Sequence, residues 1–443
     1  MPGMPRKAAL TLAASLALLA TACTGRPDSG ANDDASKETT LTFWHAWSAP
    51  SEVKAVRDLV AGFEKAHPRI HVDVVGNMTD DKINQALRAG GGKAPDVISS
   101  FTTNSVGKFC SSGALVDLDP FFDKSGIDPE KTFPKAMNEY TQFEGNRCAV
   151  PLLGDAYGLY YNKTAFEKAG VTAPPKTWSE FERVAKKLTI PQGDTFEQLG
   201  FMPNYHGWET TTEHYLGQFS PTYFDEDGKS NVGKDPAFEK AFRMQKRLVD
   251  TLGGYRKLET YRSGLGDEWG PKHPFHTGQV AMQLDGEWRL GMALAAEPEF
   301  EIGVAPLPVP DDQADQYGKG YITGTIAGIA ATSEKQNAAW ELVKYMTTDT
   351  DAVVNFSNAI HNVPSTLEAL KSPKLKYDPR FKTFLEIAAN PNSTTAPASV
   401  NGGVYLTTIQ QFGYDYESGK ATDLKAGLRR TAEQIDTDIA QAK

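Results

Sequence analysis

Residues 41–98 read LTFWHAWSAPSEVKAVRDLVAGFEKAHPRIHVDVVGNMTDDKINQALRAGGGKAPDVI, and this stretch decides the fold. Leu41-Thr42-Phe43-Trp44 is a short β-type run followed by a loop, His45 to Ser51. Val53, Val56, Leu59, Val60 and Phe63 then recur at the spacing of one helix face, and His67-Pro68 stops that helix. Ile70 to Val75 alternates as a second strand. A second helix is expected from Asp80 to Arg88, ended by Gly90-Gly91-Gly92, and Pro95-Asp96-Val97-Ile98 starts a third strand. Strand, helix, strand, helix, strand predicts an α/β fold with a parallel sheet flanked by helices. Ligands of such sheets sit outside the carboxyl ends of the strands. The loops after LTFW and after DVIS are therefore the first places to look for a site.

Further along, Ala149-Val150-Pro151-Leu152-Leu153-Gly154-Asp155-Ala156-Tyr157-Gly158-Leu159-Tyr160-Tyr161-Asn162-Lys163 carries an apolar strand in, an interruption by Pro and Gly, and an apolar strand out. It reads as a crossover between two lobes. Helices are expected at Lys163–Ala169 and Trp178–Leu188, the second capped by Thr177 or Ser179. Gly200 to Gly233 is rich in Tyr, Trp, His and Glu without periodicity, as a binding loop would be. Ala237 to Asp250 is helical. Phe275 to Leu284 reads as a strand that turns at Asp285-Gly286-Glu287-Trp288, and Ile302 to Pro308 as a second crossover. Gly320 to Ala330 is β-prone and Asn337 to Met346 helical. No internal repeat of fixed period is present.

A chain of 443 residues exceeds one typical core, so two lobes are expected. A net charge of -10 disfavours a nucleic-acid partner. At the N-terminus, Arg6-Lys7 precede an uncharged apolar run, Ala8 to Ala20, which falls short of the ~20 residues of a spanning helix and reads as a secretion signal. Ala20-Thr21-Ala22-Cys23 follows, and Thr24 to Thr40 is polar and small, a flexible tether. With Cys23 set aside, Cys110 and Cys148 remain; an exported chain would join them, adding ~3 kcal/mol, the alternative being two buried thiols.

Read in order, LTFWHAW, FEKAHPRIHVDV, GKAPDVISS, PLLGDAYGLYYNK, TWSEF, FHTGQVAMQLDGEW, IGVAPLP, AAWELVKYM and Asn362-Val363-Pro364-Ser365 resemble the family 1 extracellular solute-binding proteins of ABC importers, the maltose-binding-protein type. The likeness spans residues 41 to 415. The segment ending at Cys23 resembles the bacterial lipobox, with Ala20 where Leu is usual; plain cleavage is the alternative. The resemblance implies a two-lobed periplasmic-binding type II fold, each lobe a mostly parallel sheet flanked by helices, hinged by crossover strands and closing on ligand like a flytrap. The implied organisation is a signal at 1–22, a lipidated tether at 23–40, one lobe from 41–150 with 306–363, and a second from 151–305 with 364–443. It implies binding residues after the first strand (Trp44, His45, Trp47, Ser48) and after the third (Phe101, Thr102, Thr103, Asn104). It also implies the crossover acid Asp155 with Tyr157; Trp288 with Asp285 and Glu287; Tyr321, Thr323 and Gly324; and Tyr405 within Asn401 to Tyr405. Tyr205, Trp208, Glu209, Asp267 and Trp269 are added from composition alone.

These residue types suit a mono- or oligosaccharide. A pyranose stacks its C–H face on Trp or Tyr, and its hydroxyls donate to Asp and Glu in charge-assisted bonds. Any single aromatic here is otherwise ordinary core. A phosphate-bearing ligand such as a glycerol phosphodiester would call for Arg or Lys, and these loops hold none; a polyol is a third possibility. A tethered glycoside hydrolase would need two carboxyls ~5–10 Å apart across one bond, and no pair is singled out. His273 with His276, and His67 with His71, lack a third ligand for a metal. Neither G-x-S-x-G nor a P-loop is present. The expectation is a monomeric, non-enzymatic binder without cofactor or metal, held on the extracellular face of the membrane through Cys23. Its partners would be a carbohydrate, the membrane permease and, indirectly, a separate ATPase.

Overall fold

The computed structural model describes residues 37–90, 94–203 and 211–442. Ten strands organise it: β1 (Thr39–Trp44), β2 (Ile70–Val75), β3 (Val97–Ser100), β4 (Val150–Asn162), β5 (Ile190–Gln192), β6 (Thr195–Gln198), β7 (Met282–Gly286), β8 (Ile302–Ala305), β9 (Ile322–Ile329) and β10 (Val363–Pro364). In β1, Leu41 and Phe43 are buried between more exposed neighbours, the period-2 signature of a sheet facing a core. The helix Pro50–Ala66 starts on a proline, where the missing N–H costs nothing, and buries Val56, Leu59, Val60 and Phe63. Thr79 caps the helix Asp80–Ala89 through the Lys82 N–H.

β1 lies between β2 and β3, parallel to both. The rest of the sheet is antiparallel: β9 pairs β3 and β4, while β10, β7 and β8 all pair β4. The sheet is thus mixed rather than mostly parallel. β5 and β6 form a separate hairpin. Pro151 does not break β4 in two. The register against β9 shifts between Pro151 and Leu153 and the strand continues for thirteen residues, an irregularity that accommodates a residue with no N–H to give. The strand expected from Phe275 is shorter than its sequence suggests. His273 and Pro274 carbonyls accept from Thr277 and Val280, so the chain turns before β7 begins at Met282.

One core gathers Leu41, Phe43, Phe63, Phe122 and Leu153 with Ala327, Trp340 and Phe356. Another gathers Leu159, Trp178, Phe181, Phe201, Phe242 and Leu284 with Leu307, Tyr321, Tyr405 and Ile435. A third cluster, including Ala156, Tyr160, Ile322, Ile326 and Val363, lies along β4, β9 and β10. A disulfide joins Cys110, in the helix Val106–Ser111, to Cys148 just before β4. Among the described residues no helix is long and apolar enough to cross a membrane.

Candidate functional site

β4 changes partners in its middle. Its first half pairs with β9 as far as Ala156 opposite Ile322, and with β10 at Gly154 opposite Val363. From Tyr157, opposite Gly286, it pairs with β7 and then β8. Asp155 and Tyr157, two residues apart and so on one face, flank this switch. Asp155 is half-buried, with Thr323 opposite it on β9. Tyr157 stacks on His214 with ring centroids 3.8 Å apart. The Thr211 N–H donates to His214 Nδ1 at 2.8 Å, holding that ring at the start of the helix Thr212–Phe219.

At the end of β7 the chain turns into the helix Trp288–Ala295. The Trp288 indole folds back over Gly286, where a Cβ would lie 2.2 Å from the ring; only glycine fits under it. Trp288 meets Tyr157 edge-on at 5.6 Å, remains half-buried, and its Nε1 has no protein partner. The turn is braced by a buried ion pair, Arg289 Nε to Asp285 Oδ2 at 2.7 Å. Arg289 also donates to the Glu268 carbonyl and lies over the Trp269 ring. Glu287, 1% exposed, accepts the Ala156 N–H at 2.9 Å. Asn362 donates to Asp155 at 2.7 Å and to Glu287 at 2.8 Å. Burial raises the Asp155 pKa to about 6, while its hydrogen bonds to Glu287 and Asn362 pull the other way. Burial, then the Asp155 charge, holds Glu287 well above the usual carboxylate range.

The loop after β3 supplies a rim. Phe101 is 48% exposed and rests edge-on against Trp47. The Thr102 hydroxyl bonds Asp80, whose other oxygen accepts from Ser100 at 2.7 Å. Asn104 abuts Gly403, where φ is +85° and a Cβ would lie 2.7 Å from Asn104 Cβ. Asn104 Oδ1 and Asn401 Nδ2 have no protein partner. A half-buried indole over a glycine and two acids bridged by one amide make a site suited to a hydroxyl-rich ligand.

The family model of bacterial extracellular solute-binding proteins matches residues 49–353. The chain belongs to that family. It is similar to the maltotriose-binding protein of Pyrococcus abyssi, 23% identical over 403 residues, 89% of this chain and 81% of that one. It is also similar to the sn-glycerol-3-phosphate-binding periplasmic protein of Brucella abortus, 25% identical over 276 residues, 61% of this chain and 62% of that one. The structure of CpMnBP1 with mannotriose bound shares the fold at a TM-score of 0.73 and 23% identity, covering 91% of this chain and 100% of that one. The architecture is therefore the two-lobed α/β fold of periplasmic binding proteins.

Other residues singled out in this solute-binding protein lie elsewhere. Trp47 is covered by Phe101 and Phe356 and props the rim. His45 is fully buried with both ring nitrogens unpartnered, and burial, then Arg57, lowers its pKa to about 4. Trp44 is half-buried against the third cluster, and Ser48 is exposed. Thr103 is buried in the turn after β3. Tyr321 and Tyr405, each 1% exposed, are core: the first packs near Tyr157 and His214, the second against Tyr223 and Phe224. At Gly324 a Cβ would strike the Leu153 carbonyl, so that residue serves close strand packing. Trp269 is 53% exposed on the loop with Asp267, whose carboxylate accepts its N–H. Cys23, Tyr205, Trp208 and Glu209 lie outside the described residues.

His214, Glu213 and Asn362 were not read from sequence as site residues. The first two begin a helix hidden in the aperiodic 200–233 stretch, and only the Thr211-x-x-His214 cap pattern hinted at it. Burial lowers the His214 pKa to about 3 and raises that of Glu213. The His273–His276 pair sits beside the Asp285–Arg289 bridge, where burial, then Arg289, lowers the two to about 2 and about 4. No cluster of three metal-ligating side chains occurs among the described residues. The cavity of about 410 Å³ lined by Phe143, Phe224, Pro397 and Val400 contains none of the predicted site residues.

Proposed function

We propose that this protein captures a mono- or oligosaccharide between two lobes, at the Asp155–Tyr157 switch of β4, and hands it unaltered to an ABC permease driven by a separate ATPase. One observation carries the reading: a half-buried indole stands next to two acids bridged by the Asn362 amide. That combination offers a pyranose both a stacking face and acceptors. The maltotriose- and mannotriose-binding relatives support it. A glycerol phosphate is disfavoured because Arg289, the cation at the turn, is buried against Asp285.

In this reading the lobes part within β4, at Ala156–Tyr157 rather than at 150/151, and the stretch holding Leu307 and Tyr321 goes with the second lobe, so that the boundary expected at 305/306 moves to the start of β9. The contacts are Asp155, Tyr157, Glu287 and Trp288, with Phe101, Thr102, Asn104 and Thr323 at the rim; Trp208 and Glu209 are proposed as further ligand contacts. The chain works as a monomer without catalysis. Cys23 carries the lipid anchor at the extracellular face of the membrane, and the tether expected over 23–40 ends earlier than its sequence suggests, since Thr39 and Thr40 already pair with β2 in β1.

Calorimetric titration with maltotriose, mannotriose and glycerol 3-phosphate tests this, followed by chromatography of the recovered ligand. Saturable binding of an intact sugar is expected. Binding of glycerol 3-phosphate alone, or cleavage of the sugar, would overturn the reading.

A further inference from the structure

Asn362 lies between the helix Thr350–Ile360 and β10. Its side-chain amide has two N–H donors, and both go to carboxyls: Asp155 Oδ1 at 2.7 Å and Glu287 Oε1 at 2.8 Å. The other Glu287 oxygen takes the Ala156 N–H. Two carboxyl oxygens thus share one amide nitrogen, close enough that burial and like charge disfavour ionising both acids at once. Asn362 is itself anchored, its carbonyl accepting from the Tyr377 hydroxyl at 2.6 Å. Three separate stretches of chain thus meet at one amide.

We propose that Asn362 is a specificity-determining positioning residue: its amide holds Asp155 and Glu287 as a pair carrying one proton, giving the site a single negative charge that admits uncharged sugars and repels phosphorylated ones. The selectivity half rests on the sugar reading above. A phosphate monoester brings ~1.5–2 negative charges and would need a cation beside the pair. The titratable and charged groups facing the pair are Tyr140 toward Asp155, Tyr160 and Tyr377 toward Glu287, and Asp285 with its partner Arg289. The three tyrosines are held above their ordinary values by burial and stay neutral from pH 5 to 9. None of these groups offers an uncommitted positive charge. Hydrogen bonds to an ionised carboxyl favour that form, so losing the amide should make the pair hold its proton harder.

Carboxyl 13C NMR of the ligand-free full chain, followed across pH, reads the proton directly. Maltotriose and glycerol 3-phosphate titrations read the selectivity. For Asn362→Ala the pair's midpoint should rise by about one pH unit, a tenfold gain in proton affinity. The preference for maltotriose over glycerol 3-phosphate should narrow by about the same factor. Asn362→Ser, which keeps one donor, should fall between and serves if the alanine variant misfolds. An asparagine that merely supports the fold would weaken binding equally at every pH and leave the midpoint where it was; that result overturns the proposal. Should neither maltotriose nor mannotriose bind the unaltered protein while the midpoint still moves, the sugar reading and the selectivity fall and the shared proton stands.

Discussion

Trp288→Ala is the perturbation that bears most directly on the site. The indole lies on Gly286, touches Tyr157 edge-on at 5.6 Å and is half-buried, so part of one face remains for a ligand, while its Nε1 is buried without a partner. A pyranose covering ~60–80 Å² of that face would gain about 1.5–2 kcal/mol at ~25 cal/mol per Å². Losing that face raises Kd by roughly 10- to 30-fold. Trp288→Phe keeps a smaller stacking face and should cost less. The ligand-free stability loss should stay below the ~3–5 kcal/mol of a fully buried Trp, because the ring is only half covered. Calorimetry with maltotriose, alongside urea unfolding without it, separates the two effects. A Trp288→Ala protein that melts normally and binds within threefold of the unaltered one would refute the placement of the ligand on this ring.

Tyr405→Ala should do the reverse. The ring is 1% exposed and its hydroxyl donates to the Pro397 carbonyl at 2.7 Å, so urea unfolding should show a loss of about 3–5 kcal/mol while the folded fraction binds sugar as before. Replacing Cys110 and Cys148 by serine should lower ligand-free stability by ~2–4 kcal/mol, and dithiothreitol should bring the unaltered protein to the same value. Glu287→Gln should depend on pH. The raised Glu287 pKa means its stabilising contribution belongs to the protonated form and is lost as pH rises through that value. A glutamine cannot ionise, so the variant should gain stability relative to the unaltered protein as pH rises from 6 to 9 in parallel denaturation curves; a gap that shrinks with rising pH would be wrong in sign.

The parts of the molecule legible in its sequence were those whose signal is periodic or punctuated. The helix Trp178–Leu188 follows from its capping Thr177 and its spaced apolar face, and β1, β2 and the helix Pro50–Ala66 follow from alternation and from Pro50. β4 was legible as a crossover but not as one continuous strand, because Pro151 is tolerated by a shift in register that no local pattern announces. Trp288 and Asp155 stood out from their phrases, and the structure brings both to the point where β4 changes partners. The orientation of Tyr321 and Tyr405 into a core was not, since an aromatic reads alike whether it faces ligand or packing. Asn362 was invisible as a site residue because its meaning comes from two acids far along the chain, 207 and 75 residues away.

The position of Asp155 has a mechanical consequence. Up to Ala156, β4 is bonded to β9, and from Tyr157 it is bonded to β7, so any relative motion of the two sheets must be absorbed in the peptides around Asp155. The Glu287 bond to the Ala156 N–H and the Asn362 bridge both cross that point. A ligand touching only Trp288 and Tyr157 would bind equally well however the sheets were disposed, and could not favour closure. One that also reaches Asn104 or Phe101, on the loop after β3, would bind the closed arrangement more tightly and so shift the population toward it. The rim residues should therefore contribute to closure more than to first capture: Asn104→Ala should leave the association rate for maltotriose unchanged and raise its dissociation rate several-fold in stopped-flow fluorescence. Equal changes in both rates would mean that the loop after β3 meets the ligand before closure, and the argument from the strand switch would fail.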